Sequence, residues 1–103
     1  MEKMKVIIRR EYDEYRKEWG YLAAFPESSS NPGTIFCLPF YIDENGKAIF
    51  EPHTEVHLSY YYKTKLVHAN TDEAEKCKIV IEDYYNSMPE ESIALQVVEK
   101  IIR

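Results

Sequence analysis

The segment that most constrains this chain is residues 70–86, NTDEAEKCKIVIEDYYN, the one long stretch with a clear helical period. Ala74, Cys77, Val80, Ile81, Tyr84 and Tyr85, continued by Met88, fall in one stripe at about 3.6 residues per turn. Glu75, Lys76, Lys78, Glu82, Asp83 and Asn86 fill the other side. Such a helix needs an apolar surface to lie on, and the rest of the chain must supply it. Asn70 with Glu73 three residues on has the capping-box pattern, with Thr71 as the alternative cap, and Asp72 and Glu73 suit the positive end of the helix dipole. Pro89 ends the helix by disfavouring helical geometry in the residue before it. Ile79 alone lies on the polar side, as single exposed apolar residues commonly do.

The surface is predicted to be a sheet. Residues 5–12 (KVIIRREY) alternate, with Val6, Ile8 and Tyr12 on one face and Ile7, Arg9 and Glu11 on the other. The polar run 13–18 turns the chain, and residues 19–25 (WGYLAAF) return with Trp19, Tyr21, Ala23 and Phe25 on one side, completing a hairpin. Residues 26–33 read as an exposed loop ending in a type II turn at Asn31-Pro32-Gly33. Residues 34–42 (TIFCLPFYI) form a third strand with Phe36, Leu38, Phe40 and Ile42 together, and Pro39, lacking an N–H, places it at an edge or a bulge. Asp43-Glu44-Asn45-Gly46 is a hairpin turn into a short fourth strand at 47–51. Residues 95–102 (LQVVEKII) are rich in β-branched side chains and predict a closing strand between neighbours.

Residues 53–67 fit two periods. A strand groups Val56, Leu58, Tyr60 and Tyr62; a helix groups Leu58, Tyr61, Tyr62 and Lys65, and a helical turn near 58–63 is the favoured form. The expected fold is α+β, a single domain over residues 1–103. It has a sheet of four to five mainly antiparallel strands, one long helix packed on one face, and room for a short extra helix. The opposite face carries aromatics and is expected to be half exposed or closed by a second copy in a homodimer.

Charge narrows the function classes. The formal net charge is −5, and −4 of it falls on residues 71–103. That argues against a protein that tracks phosphates, whose affinity comes from Lys and Arg. Lys3, Lys5, Arg9 and Arg10 form the only dense basic group, so a weak nucleic-acid binder working through the N-terminal strand stands as one alternative. No apolar run reaches the roughly 20 residues of a membrane span, and MEKMKVIIRREY lacks the apolar core of a signal peptide. A cytoplasmic protein without membrane contact is expected. Cys37 and Cys77 have neither CxxC nor zinc-finger spacing and read as buried free thiols.

The pattern His53-Thr54-Glu55-Val56-His57 is the most suggestive of chemistry. On a strand, alternation sends His53, Glu55 and His57 to one face, close enough for two imidazoles and a carboxylate to reach one metal. The competing reading is a solvent-facing polar row opposite Val56 and Leu58, favoured because no further His or Cys cluster completes a coordination sphere. HExxH is not matched, and the H-x-E of His53-Thr54-Glu55 lacks the downstream P-C-x-x-C of zinc deaminases. Gly20, Gly33 and Gly46 all sit in turn contexts, so no phosphate loop is present. Cys37 or a serine of 28–30 paired with His57 or His68 would need a proximity that spacing does not show. No enzyme, catalytic residue, metal or cofactor is therefore expected, and a metal-dependent or hydrolytic site around His53, Glu55 and His57 remains the other alternative.

The chain holds nine tyrosines, three of them consecutive. Tyr60, Tyr61 and Tyr62 cannot all bury on one face of a strand or helix, so at least one sits at the surface. Exposed tyrosines are enriched where binding energy concentrates. His53, Tyr60, Tyr61, Tyr62, Glu82 and Tyr85 are accordingly the expected contacts for a protein partner, with Tyr84-Tyr85 extending the same patch.

The succession of Lys-Val-Ile-Ile-Arg at 5–9, Phe25-Pro26, His53-Thr54-Glu55-Val56 with Tyr60-Tyr61 and Thr64, an acidic helix start and Val97-Val98-Glu99-Lys100-Ile101 resembles small uncharacterised proteins of phages and conjugative elements of gut Firmicutes. Those proteins usually have His-Ser-Glu-Ala and a paired tyrosine in the corresponding places. Here Pro52 stands before His53 where a Gly-Gln pair is common, and the 43–46 hairpin and 88–92 loop read as insertions. The resemblance implies an accessory role in a mobile element without a known reaction. It carries over no catalytic residue and marks only His53 and the Tyr60-Tyr61 pair. The expected function is a small cytoplasmic protein-interaction or accessory module.

Overall fold

The alternation of residues 5–12 folds as the expected strand, β1 (Met4–Asp13), and the remaining elements are laid around it. The protein is described from a computed structural model covering residues 3–29, 31–88 and 93–101. After β1 come β2 (Glu18–Phe25), a 3-10 turn (Pro26–Ser28), β3 (Thr34–Ile42), β4 (Ala48–Phe50), β5 (Thr54–His57), α1 (Leu58–Tyr61), β6 (Lys65–Leu66), α2 (Asp72–Asn86) and β7 (Leu95–Val97). The α+β class and the one long helix are as expected. Ser30, Ile102 and the expected helix stop at Pro89, with the loop to Ser92, lie outside the described residues.

The sheet differs from expectation in count and in polarity. It has seven strands among the described residues, not four or five, and one pair is parallel. The long strands β3, β2 and β1 form its centre. The outer edge of β3 is shared by β5, against residues 34–37, and β4, against residues 40–42. The outer edge of β1 is shared in the same way by β7, against residues 4–6, and β6, against residues 9–10. Seven strands thus stand in five columns. The two beyond those expected, β5 and β6, stayed hidden in the sequence because four and two residues are too few for an alternation to show.

Pro39 sits at a break rather than at a bare edge. Its carbonyl accepts from Glu51 N–H at 2.9 Å, and its missing donor faces the same way, into the gap between β4 and β5. The parallel pair has its cause in α2. The helix starts beside Arg10 and Tyr21, where Glu73 meets both, and ends where Glu82 and Asn86 meet Leu95 and Ile93 beside Met4. A chain leaving that end re-enters the sheet in the direction of β1.

Each face of the sheet has its own core. On one, Ala74, Cys77 and Ile81 of α2 bury against Val6, Ile8, Ala23, Phe25, Leu38 and Phe40. On the other, Ile7, Leu22, Ala24, Ile35 and Cys37 are covered by Tyr61 of α1, with Val56, Leu58, Val98 and Ile101 packed around them. The face expected to be half exposed or closed by a second copy is thus filled by this chain's own α1 and C-terminal segment. Cys37 and Cys77 are free and lie in different cores on opposite sides of the sheet. Burial pushes each thiol up to about 12.

Local signals resolve in detail. Thr71, not Asn70, caps α2, its Oγ1 accepting from Ala74 N–H at 3.2 Å. Ile79 is exposed, as expected. Residues 53–67 satisfy both periods in turn: strand to His57, one helical turn to Tyr61, strand again at Lys65. The closing strand stops at Val97 because Glu99 turns away, accepting from Ala69 N–H at 2.9 Å and pairing with His68 at 3.6 Å. No helix of the described residues is long and apolar enough to cross a membrane.

Candidate functional site

The tyrosine triplet divides on the single turn of α1. Tyr61 points inward and is 1% exposed, so this expected partner contact is a core residue. The Arg9 guanidinium lies 4.5 Å above its ring, and Arg9 Nε and Nη2 donate to Thr64 Oγ1 and Thr64 C=O, each at 2.7 Å. Tyr60 and Tyr62 face solvent at 47% and 63% exposure. Tyr60 OH donates to the Glu11 carboxylate, and that bond first, then partial burial, pushes the phenol up to about 12.

The basic group at the N-terminus is taken apart by alternation. Arg9 is 9% exposed in the second core, while Arg10 on the opposite face lies 3.6 Å from Glu73. Lys3 and Lys5 stay exposed, so the four cations do not share a surface.

His53 and Tyr85 meet, with the His53 Nε2 2.5 Å from the Tyr85 hydroxyl. The His53 ring also stacks on Phe36, with centroids 5.0 Å apart, and Tyr85 meets Phe25 edge-on. A cleft of about 240 Å³ opens here, lined by Met4, Phe25, Phe36, His53, Tyr85 and Ile93 together with Ser28. Glu55 accepts from Thr34 Oγ1 at 2.8 Å, and His57 is exposed. Among the described residues no three His, Cys, Asp or Glu groups are placed to hold a metal ion. Val56 packs into the second core, so Glu55 and His57 form the polar row opposite it. Glu82, another expected contact, accepts from Leu95 N–H at 2.8 Å and ties β7 to the helix. Tyr84 and Tyr85 pack on the α2 side and Tyr60 and Tyr62 flank α1 on the other, so the expected continuous tyrosine patch is two separate surfaces.

A third group of rings was read in the sequence only as part of a strand face. Tyr12 and Trp19 are register partners on β1 and β2, in an edge-to-face contact at 5.4 Å, and are 43% and 48% exposed. Lys65 Nζ lies 5.2 Å from the Trp19 ring. Tyr60 borders the same cleft of about 210 Å³, with Glu11, Lys63 and Lys65 on its rim. These rings are bare because α2 is short. Fifteen helical residues span about 22 Å at 1.5 Å each, whereas the ten residues of β1 span about 33 Å, so the hairpin outruns its cover. The bounds read from the sequence, eight strand residues and seventeen helical ones, each span about 26 Å, so the mismatch did not show there.

The hairpin tip is held in place by its own chain. Asp13 Oδ1 accepts from Tyr15 N–H and Arg16 N–H at 2.9 and 3.1 Å, and Lys17 takes the left-handed conformation at φ 55°. Arg16 stacks 3.7 Å over Tyr41 and reaches Glu51 at 3.2 Å, bracing the tip against the far side of the sheet. Comparison of the chain with protein-family models, with curated proteins and with solved structures found no match.

Proposed function

We propose that this protein is a small protein-binding module that engages its partner through the tip of the β1–β2 hairpin, with Tyr12, Trp19 and Tyr60 as anchors. One observation carries this reading: three large rings, each between 43% and 48% exposed, border one rim and are already positioned by contacts within the chain. Tyr and Trp are the residue types in which interface energy concentrates, and rings held in place before binding lose little freedom on contact. The role of accessory module in a mobile element is the setting suggested by the sequence resemblance.

The other readings have less support. Tyr85 holds His53, and Glu55 accepts from Thr34, so a shared metal would require both to leave their partners. A basic strand for nucleic acid loses Arg9 to the core and Arg10 to Glu73.

The test is selection of binders from a random-peptide display library against the intact protein. Selected peptides are expected to lose about thirtyfold or more in affinity, about 2 kcal/mol, for a Tyr12→Ser, Trp19→Ser, Tyr60→Ser variant. Peptides that bind this variant as tightly as the wild type overturn the assignment.

A further inference from the structure

The outer edge of β1 is occupied along most of its length, by β7 at residues 4–6 and β6 at residues 9–10. Among the described residues no strand pairs with residues 11–13 on that side. The filled part shows which backbone groups face outward. Met4 N–H donates to Ala94 C=O, Val6 C=O accepts from Val98 N–H and Ile8 C=O accepts from Val67 N–H, each at 2.9 Å. The β1–β2 register runs without a slip from Ile7 with Ala24 to Asp13 with Glu18, so the alternation continues to the tip. The next outward residue beyond the filled edge is Tyr12, whose N–H and C=O face the open side.

We infer that the partner is an extended segment of another protein that adds to the sheet at Tyr12 and carries Lys or Arg on both sides of an apolar central residue. This rests on the reading of the tip as a binding surface and names the segment it takes. A strand added at Tyr12 sets its neighbouring positions opposite Glu11 and Asp13, on the face away from Tyr12 and Trp19. Opposite charges directly across a ladder stabilise it and like charges weaken it. Glu14 and Glu51 border the cleft at the tip and add to the negative side. Toward Arg10 the edge is already taken by Lys65 of β6, so the segment pairs no further than Glu11, and beyond that point an uncharged residue suits the neighbouring Lys63 and Lys65. Of the nearby arginines, Arg10 pairs with Glu73, and Arg16, shared between Asp13 and Glu51, offsets one of the four carboxylates at the tip and leaves it negative. The central apolar residue falls on the face of Tyr12 and Trp19, where the rings receive it. A second copy of this chain fits poorly, because pairing two β1 edges about Tyr12 sets Glu11 of each copy against Asp13 of the other.

The experiment uses the intact, nitrogen-15-labelled protein and three blocked hexapeptides. The first is acetyl-Thr-Lys-Val-Arg-Thr-Thr-amide; the second carries Glu for its Lys and Arg; the third carries N-methylvaline at the centre. Trp19, the single tryptophan, reports binding by fluorescence, and amide exchange at Tyr12 reports the ladder. The basic peptide is expected to slow Tyr12 exchange about tenfold or more, and the other two to bind about tenfold more weakly. Tyr12→Pro, which removes the outward N–H, is expected to weaken binding further than Tyr12→Ala, which removes only the ring. Equal binding of the charge-reversed or N-methylated peptide, or unchanged Tyr12 exchange in the bound state, overturns strand addition. So does the absence of binding at millimolar peptide, or a dimer in sedimentation that Tyr12→Pro dissolves. The peptide selection on the serine variant decides the binding surface separately.

Discussion

Arg9→Met tests how the second core is held together. The guanidinium makes two hydrogen bonds to Thr64 at 2.7 Å and lies 4.5 Å over Tyr61. Hydrogen bonds from charged groups contribute about 1.5–3 kcal/mol each, so the pair accounts for about 3–6 kcal/mol, and the ring contact adds about 1 kcal/mol. Against this, Arg9 is 9% exposed and has no carboxylate partner among the described residues. Removing a charge from water costs several kcal/mol, a cost that methionine escapes while keeping contact with the Tyr61 ring. The balance favours the arginine, because the substitution also leaves the Thr64 carbonyl without its donor. The expected net loss is about 2 kcal/mol, or a fall in Tm of about 10 °C at roughly 4–8 °C per kcal/mol for a domain of this size. Thermal unfolding by circular dichroism, with urea denaturation as a check, measures it. A Tm equal to or above that of the wild type would refute the reasoning and make the buried guanidinium a net burden on the fold.

Further expectations follow from the same contacts. Tyr61→Ala should cost about 3–5 kcal/mol, as for other large core rings, while Tyr62→Ala should stay within about 0.5 kcal/mol; similar urea midpoints for the two would contradict their opposite placements. Both thiols are pushed up to about 12 in the fold, whereas in the unfolded chain a cysteine ionises near about 8.5. The unfolded state therefore releases protons that the native state keeps. Stability is unaffected below about pH 8 and falls by about 1.4 kcal/mol per pH unit per thiol between about 9 and 12. Cys37→Ala should flatten this alkaline limb of urea midpoint against pH, and an unchanged slope would count against it. Thr71→Ala should cost about 1 kcal/mol through loss of the α2 cap, whereas Asn70→Ala should be nearly silent; the reverse order in thermal unfolding would move the cap. Zinc or manganese should leave the Tm unchanged, and a saturable rise abolished by His53→Ala would reinstate the metal reading.

The sequence carried the composition of each face. Val6, Ile8, Ala23, Phe25, Leu38 and Phe40 share the side toward α2, and Ala74, Cys77 and Ile81 answer them. Periods of two and of 3.6 arise from local backbone geometry, so the residues alone disclose them. The hairpin turns, the end of β3 at Ile42 and the exposed Ile79 were legible for the same reason. What only the tertiary structure decided depends on element lengths and on which segments compete for one edge. Strands as short as Lys65–Leu66 exist because β1 offers a vacant edge, not because two residues favour extension. Tyr61 rather than Tyr60 or Tyr62 is buried because the one turn of α1 meets the sheet where Ile7, Leu22 and Cys37 leave space for a ring. Alternation alone sets Arg9 and Arg10 on opposite faces, but the burial of Arg9 depends on Thr64 and Tyr61 closing over it. Tyr12 and Trp19 are exposed because α2 begins beside Arg10 and Tyr21, leaving the tip of the hairpin beyond its cover.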